Sequence, residues 1–426
     1  MTTIRNILFS SAFCLFLIGP ALLFVGQEKL AVDLPSWFTA KEADYLAGGL
    51  EEARVERHLN LSGFVSEKLQ SNLETAINNH VPLKSSVLLG NAALQRSAIL
   101  ASNKLFNHPA VPTFYGSDKI YLPAYNALAR MPDDDVEATL KGTAATAAGI
   151  MNLAEAYPSI QFCIVVADES NTSEANPAVQ LVSKNVTTSD CVETLEDRLE
   201  NTPNVHVVSA PYTDTTQYYR HYYTTDHHWN GYGTLAVFGK IQTALNFTDS
   251  LDNDLSAIEF PHLRINGSCS REGLMFLNEV PREPQFDLSS IQINNAKIPP
   301  LASDRPLDTL STYGEKAEFT FYSSWYGSYQ LAAKSPLNNH AAPNKSTAIV
   351  IQDSFNNSLH WLLAQNHARL ECFSDTKPTD ESHTLQERIE ATGADTVYLV
   401  GNVSAIRRLT DEQPDYFTLD PSKATQ

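Results

Sequence analysis

The densest chemistry in the chain lies in Tyr222-Tyr223-Thr224-Thr225-Asp226-His227-His228-Trp229-Asn230-Gly231-Tyr232-Gly233. An acid, two imidazoles and an indole occupy four consecutive positions, and glycines suited to a tight turn into a helix follow. Imidazole is the side chain best matched to proton transfer near neutral pH. A neighbouring carboxylate can fix its tautomer and stabilise its charged form. Such a cluster suits either acid–base catalysis or metal binding. Adjacent histidines diverge in direction, which makes shared coordination of one ion by His227 and His228 awkward, and no second dense cluster of His and acids is visible. The residues therefore favour catalysis without a metal or other cofactor, and they do not by themselves choose between His227 and His228 as the base.

A base needs a nucleophile. Ser354 lies in Ile351-Gln352-Asp353-Ser354-Phe355, where an apolar strand-like run turns into a helical pattern. In α/β sheets, ligands bind outside the carboxyl ends of strands. Free N–H groups and the helix dipole at such a turn favour developing negative charge, as an acyl-transfer oxyanion requires. A serine hydroxyl alone is a poor nucleophile. Asp-Ser at a strand end is often only a helix cap, but the Asp226 cluster supplies the missing base.

The elements that must position these groups read as an alternation. Residues 136–157 form a helix rich in small residues, and 161–166 a continuous apolar strand of the buried kind. A helix is expected at 192–200, a strand at 205–209, a helix at 234–245, a strand at 347–352, a helix at 358–373 and a strand at 396–400. Alternation of this kind predicts a mostly parallel sheet covered on both faces. Residues 250–345, rich in Pro, Asn and Ser, read as a partly β insertion between two halves of that domain. Before it, 27–85 reads as linker and helices (40–59 and 64–79), 86–426 as the α/β domain, and 115–122 as a hairpin.

Residues 1–26 carry Arg5 and an apolar run from Ile7 to Val25, interrupted by Gly19 and Pro20. The length lies between a signal-peptide core and a spanning helix. An uncleaved signal anchor is favoured over a cleaved signal peptide, and either places the body of the protein outside the cytoplasm, membrane-anchored or secreted. Cys163, Cys191, Cys269 and Cys372 allow one or two disulfides in that setting, with four unpaired buried thiols as the alternative. No two cysteines have zinc-ligand spacing. The formal net charge of -19 disfavours nucleic acid as a partner and leaves neutral sugars unaffected.

Thr225-Asp226-His227-His228-Trp229-Asn230 resembles the signature of the bacterial DHHW proteins, which are related to the alginate O-acetylation proteins. Asn79-His80-Val81-Pro82-Leu83-Lys84, Ser324-Trp325-Tyr326-Gly327-Ser328-Tyr329 and Ile351-Gln352-Asp353-Ser354-Phe355 are similar to other blocks of that family, so the likeness spans roughly 75–402. Gln352 stands where the family often has Gly, and Lys84 where it has Arg. The resemblance implies a three-layer SGNH-hydrolase-like fold with its catalytic blocks in permuted order, Asp and His preceding the Ser. It implies Asp226 as orienting acid, His228 as base and Ser354 as nucleophile. Spacing of two in an extended segment puts Asp226 and His228 on one side, in agreement. Asn402 occupies a place resembling the family asparagine that helps form an oxyanion hole, although an ordinary loop role is the commoner one. His227 and Tyr326 are candidates for substrate contact. Trp229 could stack on a sugar ring, but anchoring its loop is the preferred role.

These readings imply O-acyl, chiefly acetyl, transfer on an envelope polysaccharide or exopolysaccharide. The donor would be a small molecule or a partner membrane protein, and the N-terminal segment would hold the membrane. A carbohydrate esterase with the same triad, and a non-catalytic polysaccharide-binding scaffold, are the alternatives.

Overall fold

The computed structural model describes residues 133–169, 172–175, 186–247, 256–259, 279–284, 291–293, 296–297, 336–374 and 383–420, with scattered helical residues between 90 and 105. The chain divides into two compact units, Met1–His108 and Pro109–Gln426. The expected N-terminal anchor, the helices of 40–59 and 64–79, the hairpin at 115–122 and the blocks at 79–84 and 324–329 lie outside the described residues. No helix among the described residues is long and apolar enough to cross a membrane.

In the second unit, α1 (Asp133–Ala156) leads into β1 (Gln161–Ala167). Then come α2 (Thr188–Leu199), β2 (Val205–Ser209), α3 (Thr215–His221) and α4 (Gly231–Ala244). Short strands follow: β3 (Ala257–Glu259), β4 (Arg282–Pro284), β5 (Ile291–Ile293), β6 (Ala296–Lys297) and β7 (Leu337–Asn339). The unit closes with β8 (Asn344–Gln352), α5 (Asn356–Asn366), β9 (His367–Phe373), α6 (Leu385–Thr392), β10 (Thr396–Asn402) and α7 (Val403–Asp411).

Eight strands form one sheet in the order β2-β1-β10-β8-β9-β7-β5-β6. The first five are parallel and the last three antiparallel. Side chains alternate across a strand, and two cores result. Cys163, Val165, Val350, Tyr398 and Val400 face Val237, Phe238, Ile241 and Leu359 of α4 and α5. Phe162, Ile164, Ile349, Ile351, Val397 and Leu399 face residues of α1, α2, α6 and α7. The unit is thus a three-layer α/β/α arrangement, and burial on both faces explains why β1 and β10 are almost unbroken apolar runs.

Two expectations need correction. The pattern of 358–373 is not one helix. It breaks after Asn366, and His367–Phe373 pairs in parallel with β8. His367, Leu370 and Cys372 are buried there, a pattern that mimics helical spacing when joined to the helix before it. The disulfide expectation also fails for the described cysteines: Cys163, Cys191 and Cys372 are free and buried. Part of the 250–345 segment, β5 to β7, extends the main sheet, while β3 and β4 pair separately.

Candidate active site

The Asp226 loop is closed at its neck by an antiparallel bridge between Tyr222 and Trp229. Tyr223 N–H donates to His228 O at 3.1 Å, and Asn230 N–H to His221 O at 2.8 Å. Asn230 then caps α4: its Oδ1 accepts from Tyr232 N–H at 2.9 Å and Gly233 N–H at 3.3 Å. Its Nδ2 donates to Arg220 O and Tyr222 O. An Asn at the cap satisfies N–H groups that the first turn leaves open. That cap is why α4 begins at Gly231 rather than at Thr234. Gly233 has no room for a side chain, because a Cβ would collide with the His221 carbonyl and the Trp229 side chain.

Ser354 follows the carboxyl end of β8. Asp353 N–H extends the ladder to Val400 O at 3.0 Å, and Asp353 Oδ1 accepts from Phe355 N–H at 2.8 Å. Asp353 Oδ2 accepts from Asn402 N–H at 3.0 Å, joining the turn after β8 to the end of β10. Gln352, in the place of the family Gly, is buried, and its Oε1 accepts from Asn356 Nδ2. The larger residue thus braces the first turn of α5 instead of loosening it.

His228 lies between the two elements. Its Nε2 is 2.7 Å from Ser354 Oγ, and its Nδ1 is hydrogen-bonded to Asp226 Oδ1. A carboxylate only accepts, so Nδ1 carries the proton and Nε2 accepts from the Ser354 hydroxyl. Asp226 Oδ1 also accepts from the His228 backbone N–H at 3.1 Å. Asp226 and His228 are 3% and 4% exposed, whereas Ser354 is exposed. Phe355 packs against the His228 ring with centroids 4.7 Å apart. Asp226 and His228 are thereby joined to a serine more than 120 positions away in one line of hydrogen bonds, which can move a proton from an exposed hydroxyl to a buried imidazole.

The other candidates take varied places. Trp229 is 3% exposed, and its Nε1 donates to Ser358 Oγ at 3.1 Å. Ser358 and Thr234 hydroxyls are 2.7 Å apart, so the indole ties the loop to α5 and α4. The possibility that it stacks on a sugar is corrected by this burial. His227 is partly exposed; its Nδ1 is 3.5 Å from Asp226 Oδ1, and its ring lies 3.9 Å from that of His228. Burial and the neighbouring His228 lower its pKa. Asn402 caps α7 through Oδ1, accepting from Ala405 N–H at 2.8 Å, and its Nδ2 donates to Glu169 Oε2 at 2.7 Å. Tyr326 lies outside the described residues.

Ligand atoms of Asp226, His227 and His228 lie within 4.8 Å of one another. Nδ1 and Nε2 of His228 are both engaged, so an ion shared by the three would have to displace its hydrogen bond to Asp226 or that to Ser354.

Four contributors escaped the sequence reading. Glu169 sits just past β1, where burial pushes its pKa up to about 7 against the pull of His227. Asp353 is raised by burial despite its two N–H donors. Phe355 and Ser358 act as described above. Glu169 could have been found by the strand-end rule that found Ser354; Ser358 carried no signal distinguishing it from any helical serine.

No family model and no curated protein matches the chain. Among solved structures it is similar to PatB1 of Bacillus cereus with a sulfonyl adduct, at 12% identity over 63% of this chain and 90% of that one, TM-score 0.43. It is similar to the O-acetyltransferase domain of Pseudomonas putida AlgJ at 11% identity, covering 74% and 98%, TM-score 0.37. It is also similar to a DHHW family protein from Eubacterium siraeum at 12% identity, covering 62% and 88%, TM-score 0.44. That last protein belongs to the group whose signature the Thr225–Asn230 stretch resembles.

Proposed function

We propose that the chain is a serine-dependent O-acyltransferase acting outside the cytoplasm, moving an acetyl group on a polysaccharide within an SGNH-like fold of permuted order. The single observation that carries this reading is the line Ser354–His228–Asp226, with 2.7 Å between Oγ and Nε2. Ser354 Oγ attacks the acyl carbonyl while His228 Nε2 takes its proton. Asp226 holds the Nδ1–H tautomer and meets the imidazolium charge. The tetrahedral intermediate collapses, and His228 returns the proton to the departing donor group. The acyl-serine is then attacked by a sugar hydroxyl, deprotonated by the same nitrogen, and Ser354 is restored.

The oxyanion falls at the turn into α5. Phe355, Asn356 and Asn357 N–H groups are held by Asp353 and Ser354 acceptors, so the Ser354 N–H is the donor of this turn assigned to the oxyanion. An apolar N-terminal run supports the extracytoplasmic setting. Esterase chemistry differs only in that water replaces the sugar hydroxyl.

The test is turnover of p-nitrophenyl acetate, with a soluble glycan as acceptor. Acetyl found on the glycan supports transfer, and release as acetate alone supports the esterase. Full activity in Ser354→Ala, or its abolition by a chelator, would sink the assigned mechanism.

A further inference from the structure

The loop carrying Asp226 is held from a segment outside the five parallel strands. Glu279, shortly before β4, places its carboxylate on three donors. Oε1 accepts from Thr224 N–H at 3.1 Å, and Oε2 accepts from the N–H and the hydroxyl of Thr225, each at 3.0 Å. Beside it, the Tyr223 hydroxyl donates to Arg282 O at 2.7 Å and accepts from Arg282 N–H at 3.0 Å. These contacts fall on Tyr223, Thr224 and Thr225, the three residues leading into Asp226. Thr225 is fully buried.

A carboxylate offers two acceptor oxygens in one plane, enough to take two adjacent backbone N–H groups and a hydroxyl at once. Burial raises the Glu279 pKa, and the three donors and Arg282 oppose that rise. A charge placed there at a desolvation cost needs a reason. The far side of the loop is anchored by Asn230 and Trp229, so Glu279 is the counterpart on the near side.

We infer that Glu279 is a positioning residue for Asp226, fixing the backbone just before it so that its carboxylate meets His228 Nδ1. The inference rests on the triad proposed above. It also gives the β3–β4 segment a part in the reaction rather than a merely decorative place.

The test uses the full chain, p-nitrophenyl acetate turnover and proton NMR of the His228 Nδ1–H, which a hydrogen bond to a carboxylate moves downfield. Glu279→Ala is expected to lower kcat by about tenfold or more with KM within about twofold, because small misplacements of catalytic groups carry such costs. The downfield resonance should shift or vanish. Glu279→Gln, which keeps one acceptor oxygen, should fall between. A folded Glu279→Ala with kcat and resonance both unchanged overturns the proposal, even if its melting temperature drops. Where Glu279→Ala does not fold, Glu279→Gln decides by the same two readouts. Wild-type protein without turnover would sink the acyltransfer reading, yet the resonance of wild type against variant would still decide the role of Glu279.

Discussion

Strand β8 is flanked by two serines, Ser346 near its start and Ser354 just past its end, and each touches a histidine. At the carboxyl end, Ser354 meets His228, which is backed by Asp226. At the amino end, Ser346 Oγ is 2.8 Å from His367 Nδ1, and His367 Nε2 is 2.8 Å from Tyr398 Oη. Both imidazoles are buried and bonded through both nitrogens. They differ in what could stabilise a proton. His367 has a phenol as its second partner, and burial pushes its pKa down to about 4. Among the described residues no carboxylate contacts it. Ser346 lies within a strand, whereas Ser354 is exposed at a turn into a helix. The contact at Ser346 thus lacks the two features that suit the one at Ser354 to proton transfer: a carboxylate to meet the imidazolium and a hydroxyl that faces solvent.

The sharpest way to break this contrast is to remove each serine. Ser354→Ala should lower acetyl-ester turnover by at least about 10⁴-fold, since the parts of a triad act as a unit. Asp226→Asn should cost about 10³- to 10⁴-fold by leaving the wrong tautomer, read as kcat at neutral pH in a protein of unchanged circular dichroism.

A second test uses acid. His367 titrates near 6.5 unfolded and about 4 folded, so between those pH values the unfolded chain binds the extra proton. Stability then falls as pH drops through this window, by up to about 3 kcal/mol for this group. Urea denaturation of wild type against His367→Gln should show the wild type losing the more stability from pH 6.5 to 4; parallel curves would refute the burial argument.

Smaller effects separate anchoring from chemistry. Trp229→Phe deletes the donor to Ser358, and Tyr398→Phe deletes the partner of His367 Nε2. Each should lower the unfolding free energy by about 1–2 kcal/mol. Tyr398→Phe should leave kcat unchanged. Ser346→Ala should have the smallest effect, with turnover within about twofold of wild type; a large loss there would erase the distinction between the two ends of β8.

Much of this was readable from residue order. Gln161–Val166 and Thr396–Val400 stood out as strands because both sheet faces are covered there, which removes most polar residues from them; Val205–Ser209, at the sheet edge, is only partly buried. Asp226, His228 and Ser354 stood out because their types are suited to proton transfer and nucleophilic attack. The boundary at Asn366 did not, since a helix running directly into a strand leaves no turn residue to mark it. Glu279 did not either: its segment has no periodicity, and a lone acid in a Pro- and Asn-rich stretch resembles any solvated one.

Local sequence determined most of the alternating elements and supplied the carboxylate, imidazoles and hydroxyl of the candidate triad, because these depend on neighbours within a few residues. Tertiary structure decided which histidine faces Ser354, that Trp229 points into the core, and that Glu279 reaches Thr224 and Thr225. Those outcomes depend on strand order and on contacts between residues more than fifty positions apart, for which local propensity holds no information.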